Sequence, residues 1–177
     1  DGQQWTPIPL PSPMANDVLS DGETLWVATA EGLVEVGGAV YTQVQPNVRR
    51  GDPGLNHNGV NALSLGPEGV WAADVLGPVD LSRWRRHRWG VSGHSHQSIA
   101  ACATGEVWVG SEDAGISVRG VSVGRRNGRS GWRQVGRLDG LPEDWVMAIA
   151  CAGKGAAWVG TYRNGVGRVD ANGWTPL

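Results

Sequence analysis

The sequence contains no phenylalanine and a single lysine, and only two of its 177 residues are cysteine. No stretch approaches the roughly 18 apolar residues that a membrane-spanning helix needs, and no window sustains the 3.6-residue periodicity of an amphipathic helix. These absences exclude an all-helical protein and a helical membrane span. No kinase, receiver or helix-turn-helix segment is recognisable, so the chain shows no signalling output of its own. It carries no signal peptide, but it starts at Asp1 rather than Met, as expected of a processed or trimmed protein, which leaves a removed leader or anchor open. Two cysteines decide no redox compartment.

What is present is tryptophan, 10 residues of it, with 28 glycines and 10 prolines that break the chain into short apolar runs. Short runs between glycine turns predict an all-β fold. Four tryptophans recur in the same phrase: Leu25-Trp26-Val27-Ala28-Thr29, Val70-Trp71-Ala72-Ala73-Asp74, Val107-Trp108-Val109-Gly110-Ser111 and Ala157-Trp158-Val159-Gly160-Thr161. Their spacings of 45, 37 and 50 residues average 44, the length of one four-stranded propeller blade. The expected architecture is a single domain over 1–177 with blades at roughly 10–48, 49–91, 92–137 and 138–177. Residues 1–9 form an extra outer strand, because Gln3-Gln4-Trp5-Thr6-Pro7 resembles Gly173-Trp174-Thr175-Pro176.

Within each unit an alternating strand leads through a glycine turn to the tryptophan strand. A second turn at Gly32, Gly77, Gly115 or Gly165 leads to a third strand, and a fourth carries Tyr41, Trp89, Trp132 or Trp174. Asp139-Gly140-Leu141-Pro142 leads to Val146, followed by Trp158-Val159-Gly160-Thr161 and Gly165-Val166-Gly167-Arg168-Val169-Asp170. That succession resembles the two-component-regulator propeller repeat, and the likeness covers nearly the whole chain. It implies a β-propeller, either a small ring or an arc of a larger one, with the four tryptophans packed between blades. It also implies a sensor or binding module, periplasmic or extracellular. Repeat 2 departs most, with Asp74 in the place of Thr or Ser and Pro78 after the turn glycine.

Propeller topology gathers the loops that lead into each blade, and the turns after each tryptophan strand, on one face. The ligand-face candidates are His57, His94, His96, Glu112, Asp113, Trp145, Tyr162, Arg163 and Asn164. His94 and His96, two apart in an extended segment, would point the same way and share a metal with His57; the alternative is two solvated loop histidines. Glu112-Asp113 reads as turn chemistry. Tyr162-Arg163-Asn164 offers a ring, a bidentate donor and an amide suited to a carboxylate or sugar, against a decorated surface turn. No cofactor is implied.

Charge is uneven along the chain: residues 1–48 sum to −6, residues 49–137 to +5 and the rest to −1. Arg83, Arg85, Arg86 and Arg88 are expected in the connection between third and fourth strands of blade 2, with Arg119, Arg125, Arg126 and Arg129 in that of blade 3. Side by side they would make a basic patch for an acidic protein surface or anionic lipid, with nucleic acid disfavoured for want of a recognisable module. Cys102 and Cys151 fall six and seven residues before their tryptophans. On different sheets, they are expected to be buried free thiols. The function expected first is a non-enzymatic binding or sensor module. Its rivals are an accessory subunit of a membrane-attached assembly, docking through blade edges or the arginine face, and a metal-dependent lyase or hydrolase.

Overall fold

The computed structural model describes residues 2, 4–43, 52–87, 90–119 and 131–177. It contains four antiparallel four-stranded sheets, each built from consecutive strands. Blade 1 holds β1 (Ala15–Ser20), β2 (Leu25–Thr29), β3 (Gly32–Glu35) and β4 (Val40–Tyr41). Blade 2 holds β5 (Val60–Gly66), β6 (Gly69–Asp74), β7 (Gly77–Asp80) and β8 (Arg85–Arg86). Blade 3 holds β9 (His96–Ala101), β10 (Val107–Ser111), β11 (Ile116–Arg119) and β12 (Trp132–Val135). Blade 4 holds β13 (Val146–Cys151), β14 (Ala157–Thr161), β15 (Val166–Asp170) and β16 (Gly173–Pro176). This is a propeller-like fold in which β1, β5, β9 and β13 lie side by side as the inner strands.

The four tryptophans are equivalent in register: Trp26, Trp71, Trp108 and Trp158 pair with Leu19, Ser64, Ala100 and Ala150 of the inner strands. Each inner strand is also bulged near its start, at Asn16, Asn61, Gln97 and Met147. A bulge turns an extra side chain out of the ladder. In the first two blades that side chain spans to the next inner strand, Asn16 Nδ2 donating to Val60 O at 2.7 Å and Asn61 Nδ2 to His96 O at 3.0 Å. The turn glycines answer a different constraint. A Cβ on Gly77 would lie 2.4 Å from the carbonyl oxygen of His87, and one on Gly115 would lie 2.3 Å from that of Val135. Both residues also have positive φ, so glycine is required twice over.

The core lies between blades rather than within them. Trp26, Ala28 and Leu33 pack on Leu63, Ala72 and Val79. Trp71 and Ala73 pack on Ile99 and Val109. Trp108, Ile116 and Val118 pack on Val159, Ala157 and Val169. An apolar residue five positions ahead of the inner strand, Leu55, Val91 or Leu141, plugs each of these layers from the side of the lead-in loops. Blade 4 breaks the pattern. Trp158 is 38% exposed where Trp108 is 1%, and Val166 is 48% exposed where its counterpart Ile116 is fully buried. At the other end Val18 is 60% exposed, although its counterparts Leu63 and Ile99 are buried. The four blades form an arc with two open apolar ends, and the expectation that all four tryptophans are sandwiched fails at the last.

Three other expectations are corrected. Trp5 belongs to no strand and stands in solvent, so the described residues before blade 1 add no outer strand. Tyr41 is not the counterpart of Trp132 and Trp174: it pairs with Leu33, the register position of Val135, because the tight turn after Glu35 starts β4 late. Trp89 lies outside the described residues. Cys102 and Cys151 are not free thiols but a disulfide with Cα atoms 5.6 Å apart. Neighbouring inner strands are offset by one residue at this end, so residues six and seven before their tryptophans come opposite each other. Counted from the inner-strand residue opposite each tryptophan, Gly66 and Ala101 stand as Cys102 and Cys151 do, and a Cβ on Gly66 would lie 2.7 Å from that of Ala101. Beside the bridge, Glu106 Oε1 accepts from Gly155 N at 3.0 Å. Burial pushes the Glu106 carboxyl up, but hydrogen bonds from Thr104 and backbone N–H groups, with Lys154 nearby, hold it below the usual carboxylate range.

Replacing both Cys102 and Cys151 by Ser removes a cross-link between residues 49 apart and lowers stability by about 2 to 4 kcal/mol. Gly66→Ala costs about 1 to 3 kcal/mol through overpacking against Ala101. Urea unfolding of the two variants measures both, and an unchanged midpoint for Gly66→Ala would contradict the close approach of the inner strands.

Candidate binding face

The turn after each tryptophan strand is pinned by the last side chain of that strand. Thr29 Oγ1 accepts from Glu31 N at 3.2 Å, Ser111 Oγ from Ala114 N at 3.0 Å and Thr161 Oγ1 from Asn164 N at 3.1 Å. These local bonds fix the backbone that presents Glu112, Asp113, Tyr162, Arg163 and Asn164. The lead-in loops present the other candidates on the same side.

His57, His94 and His96 do not make a metal site: no three His, Cys, Asp or Glu side chains gather to hold an ion among the described residues. The shared orientation expected of His94 and His96 requires extended backbone between them, and Ser95 has φ of 51°. His96 turns inward and is fully buried, with Nδ1 3.2 Å from Asp74 O and Nε2 3.3 Å from Ser92 O. Burial holds its imidazole below the usual histidine range. His94 turns outward, its Nδ1 3.5 Å from an Asp113 carboxylate that also accepts His94 N at 3.0 Å. His57 Nδ1 accepts from Gly59 N at 2.9 Å. Glu112 accepts from Gln97 Nε2 at 2.9 Å, so the two adjacent carboxylates serve separate partners.

Blade 4 carries the other cluster. Trp145 and Tyr162 are stacked with ring centres 4.1 Å apart and planes at 17°. The Arg163 guanidinium carbon lies 5.2 Å from the centre of the Tyr162 ring. The stack is assembled by the backbone, since Tyr162 N donates to Trp145 O at 3.0 Å and Arg163 N to Glu143 Oε2 at 2.8 Å. Tyr162, Arg163 and Asn164 are exposed, whereas Trp145 Nε1 is buried without a hydrogen-bond partner among the described residues. A guanidinium laid over a ring stack can meet a carboxylate, with the ring's exposed edge beside it.

On the opposite side, the expected arginine connection is partly a strand. A tight turn from Leu81 to Trp84, with Trp84 at φ 46°, lets β8 begin at Arg85. Trp84 folds back onto Tyr41 with ring centres 4.4 Å apart and is no free stacking surface. Arg83 pairs with Glu68 at 2.8 Å and Asp80 at 3.1 Å, and Arg86 Nη1 donates to Asp52 O at 2.9 Å. Arg119 ends β11, its Nη1 3.4 Å from His87 Nε2. Arg88, Arg125, Arg126 and Arg129 lie outside the described residues. Sequence reasoning missed His87, which sits buried between Trp71 and Trp132 with both ring centres 5.5 Å away.

No sequence-family profile and no curated protein matches the chain. Solved structures do. Two of them are of the extracellular domain of BT4673 from B. thetaiotaomicron, named a one-component system in one case and a hybrid two-component system in the other. The first aligns with TM-score 0.68 at 17% identity and the second with 0.69 at 16%; each alignment covers 93% of this chain and 25% of the other. At this identity the likeness establishes the fold, and the chain spans a quarter of the length of those neighbours.

Asp74, which replaces the Thr or Ser of the other repeats, organises the face at blade 2. Its Oδ2 accepts from Asn56 N at 2.6 Å and His57 N at 3.1 Å, and its Oδ1 from Leu76 N at 2.9 Å and Gly77 N at 3.0 Å. One carboxylate thereby ties the lead-in loop of blade 2 to its turn. Burial pushes this carboxyl up to about 6 although the four N–H donors favour the charge. A folded-state value above the unfolded 3.8 means that the group's contribution to stability is complete below pH 3.8 and is lost as pH rises through about 6. The stability difference between the wild type and Asp74→Asn is therefore expected to shrink as pH rises from 4 to 7. Thermal unfolding across that range decides it, and a difference that widens with pH would contradict it.

Proposed function

We propose that the chain is a non-enzymatic, ligand-binding part of an extracytoplasmic sensor-type propeller, and that it recognises an acidic sugar or another carboxylate-bearing ligand at the lead-in face of blade 4. The observation that carries this reading is the exposed Tyr162 ring, backed by Trp145 and capped by Arg163. A guanidinium held over a ring grips a carboxylate in two places, and the exposed Tyr162 hydroxyl and Asn164 amide beside it supply hydrogen bonds for a sugar's hydroxyl groups. The Cys102–Cys151 bridge supports an oxidising compartment. The fold shared with extracellular domains of signalling systems supports a sensor role.

The test is a calorimetric titration with uronate oligosaccharides and with neutral glucose oligosaccharides, each also analysed by mass spectrometry for products. Binding of the acidic set without product is expected. Tyr162→Ala and Arg163→Gln each weaken binding about ten-fold, equivalent to about 1.4 kcal/mol, with the melting temperature unchanged. Acidic ligands that bind both variants as tightly as wild type would remove the site, and product formation would remove the non-enzymatic assignment.

A further inference from the structure

The two open ends of the arc have complementary patterns. On blade 4 the uncovered face presents Ala148, Ala150, Trp158 and Val166, the register positions that in blade 3 are Ser98, Ala100, Trp108 and Ile116. In blade 3 those positions are buried under the neighbouring blade. Blade 1 supplies the opposite pattern. Val18, Val27, Val34 and Val40 form one row across its four strands, and Val18 and Val40 are exposed. The matching row of blade 2, Leu63, Ala72 and Val79, is the surface on which blade 1 packs. Leu10, five residues ahead of β1, holds the place of the plugging Leu55, Val91 and Leu141, yet is only half-buried.

We infer that these ends are the two halves of one interface, and that a second copy of this chain joins them head to tail into an eight-bladed ring. The interface repeats, between molecules, the relation that the chain already makes three times within itself. Among the described residues the valine row of blade 1 is uncharged, and Arg168, at the position of Val118, is held by Asp170. Eight blades lie within the usual range of closed propellers, and two identical contacts satisfy both open ends at once. A head-to-tail contact closes a ring when the rotations add up and otherwise runs on as a filament. This inference goes beyond the proposed function and concerns a different surface from the Tyr162 stack.

Sedimentation equilibrium of residues 1–177 at high micromolar concentration is expected to give twice the 18.7 kDa monomer mass. Trp158→Asp and Val18→Asp change exposed positions, so each variant should fold, as circular dichroism will show, but remain monomeric. A mixture of the two should recover a dimer, because one of its two contacts pairs the unaltered ends. Should Trp158→Asp dissociate the protein while Val18→Asp does not, the contact is face to face and the head-to-tail ring is overturned. A wild-type monomer at the highest concentration, or an open-ended polymer, overturns it as well.

Discussion

Everything in this molecule follows from the fact that a sheet with an apolar face must have that face covered, and that here only the next sheet can cover it. A tryptophan buries on the order of 200 Å² and contributes roughly 5 kcal/mol when fully withdrawn from water. Placed on the second strand of each blade, it needs a flat, small-residue partner opposite. The inner strand and second strand of the following blade provide one, with Ala72, Val109 or Val159 at the point of contact. The stacking of tryptophan on its neighbour sets the distance between blades. That distance in turn explains the inner-strand bulges, whose Asn16 and Asn61 amides are long enough to reach the next strand.

Polar chemistry is confined to the two rims of this apolar stack, and the rims differ. On the lead-in side, loops are shaped by side-chain oxygens capping backbone N–H groups, as at Ser111, Thr161 and above all Asp74. Such bonds leave side chains such as His94 and Tyr162 facing solvent. On the other side the blades are tied to each other, by Ser64 Oγ accepting from Ala101 N, by Glu106 accepting from Gly155 N, and by the disulfide. The lower rim thus adds a covalent link to its bonds between blades, whereas the upper rim combines individually capped turns with the ties made by Asn16, Asn61 and His96.

The repeats were legible because tryptophan and glycine each answer a constraint that recurs once per blade. Their spacing therefore gave the sheets, the strand order and the loop faces. Local departures were not legible. Ser95 carries no mark that its φ is positive, so the divergence of His94 and His96 was hidden. Trp84 and Trp89 stand five residues apart, and only the tight turn after Leu81 shows that Trp84 is the one packed on Tyr41. The cysteines did carry a signal. Their counts of six and seven residues before the tryptophans differ by the one-residue offset between adjacent inner strands, and that difference pointed to contact rather than separation. On the lead-in face the sequence named Trp145, Tyr162 and Arg163 alike, but nothing in it showed that the bond from Tyr162 N to Trp145 O brings the two rings together.

The bridge from Cys102 to Cys151 also alters the connectivity of the chain. Between those residues the backbone is a closed covalent circle that contains β10, β11 and β12, the Glu112–Asp113 turn and the lead-in loop of blade 4. A cut at one point on that circle divides the backbone but yields no separate fragments while the bridge is intact. Loops within it can be nicked, exchanged or lengthened with the fourth blade still tethered to the third, so this part of the lead-in face is free to vary without the arc losing its end.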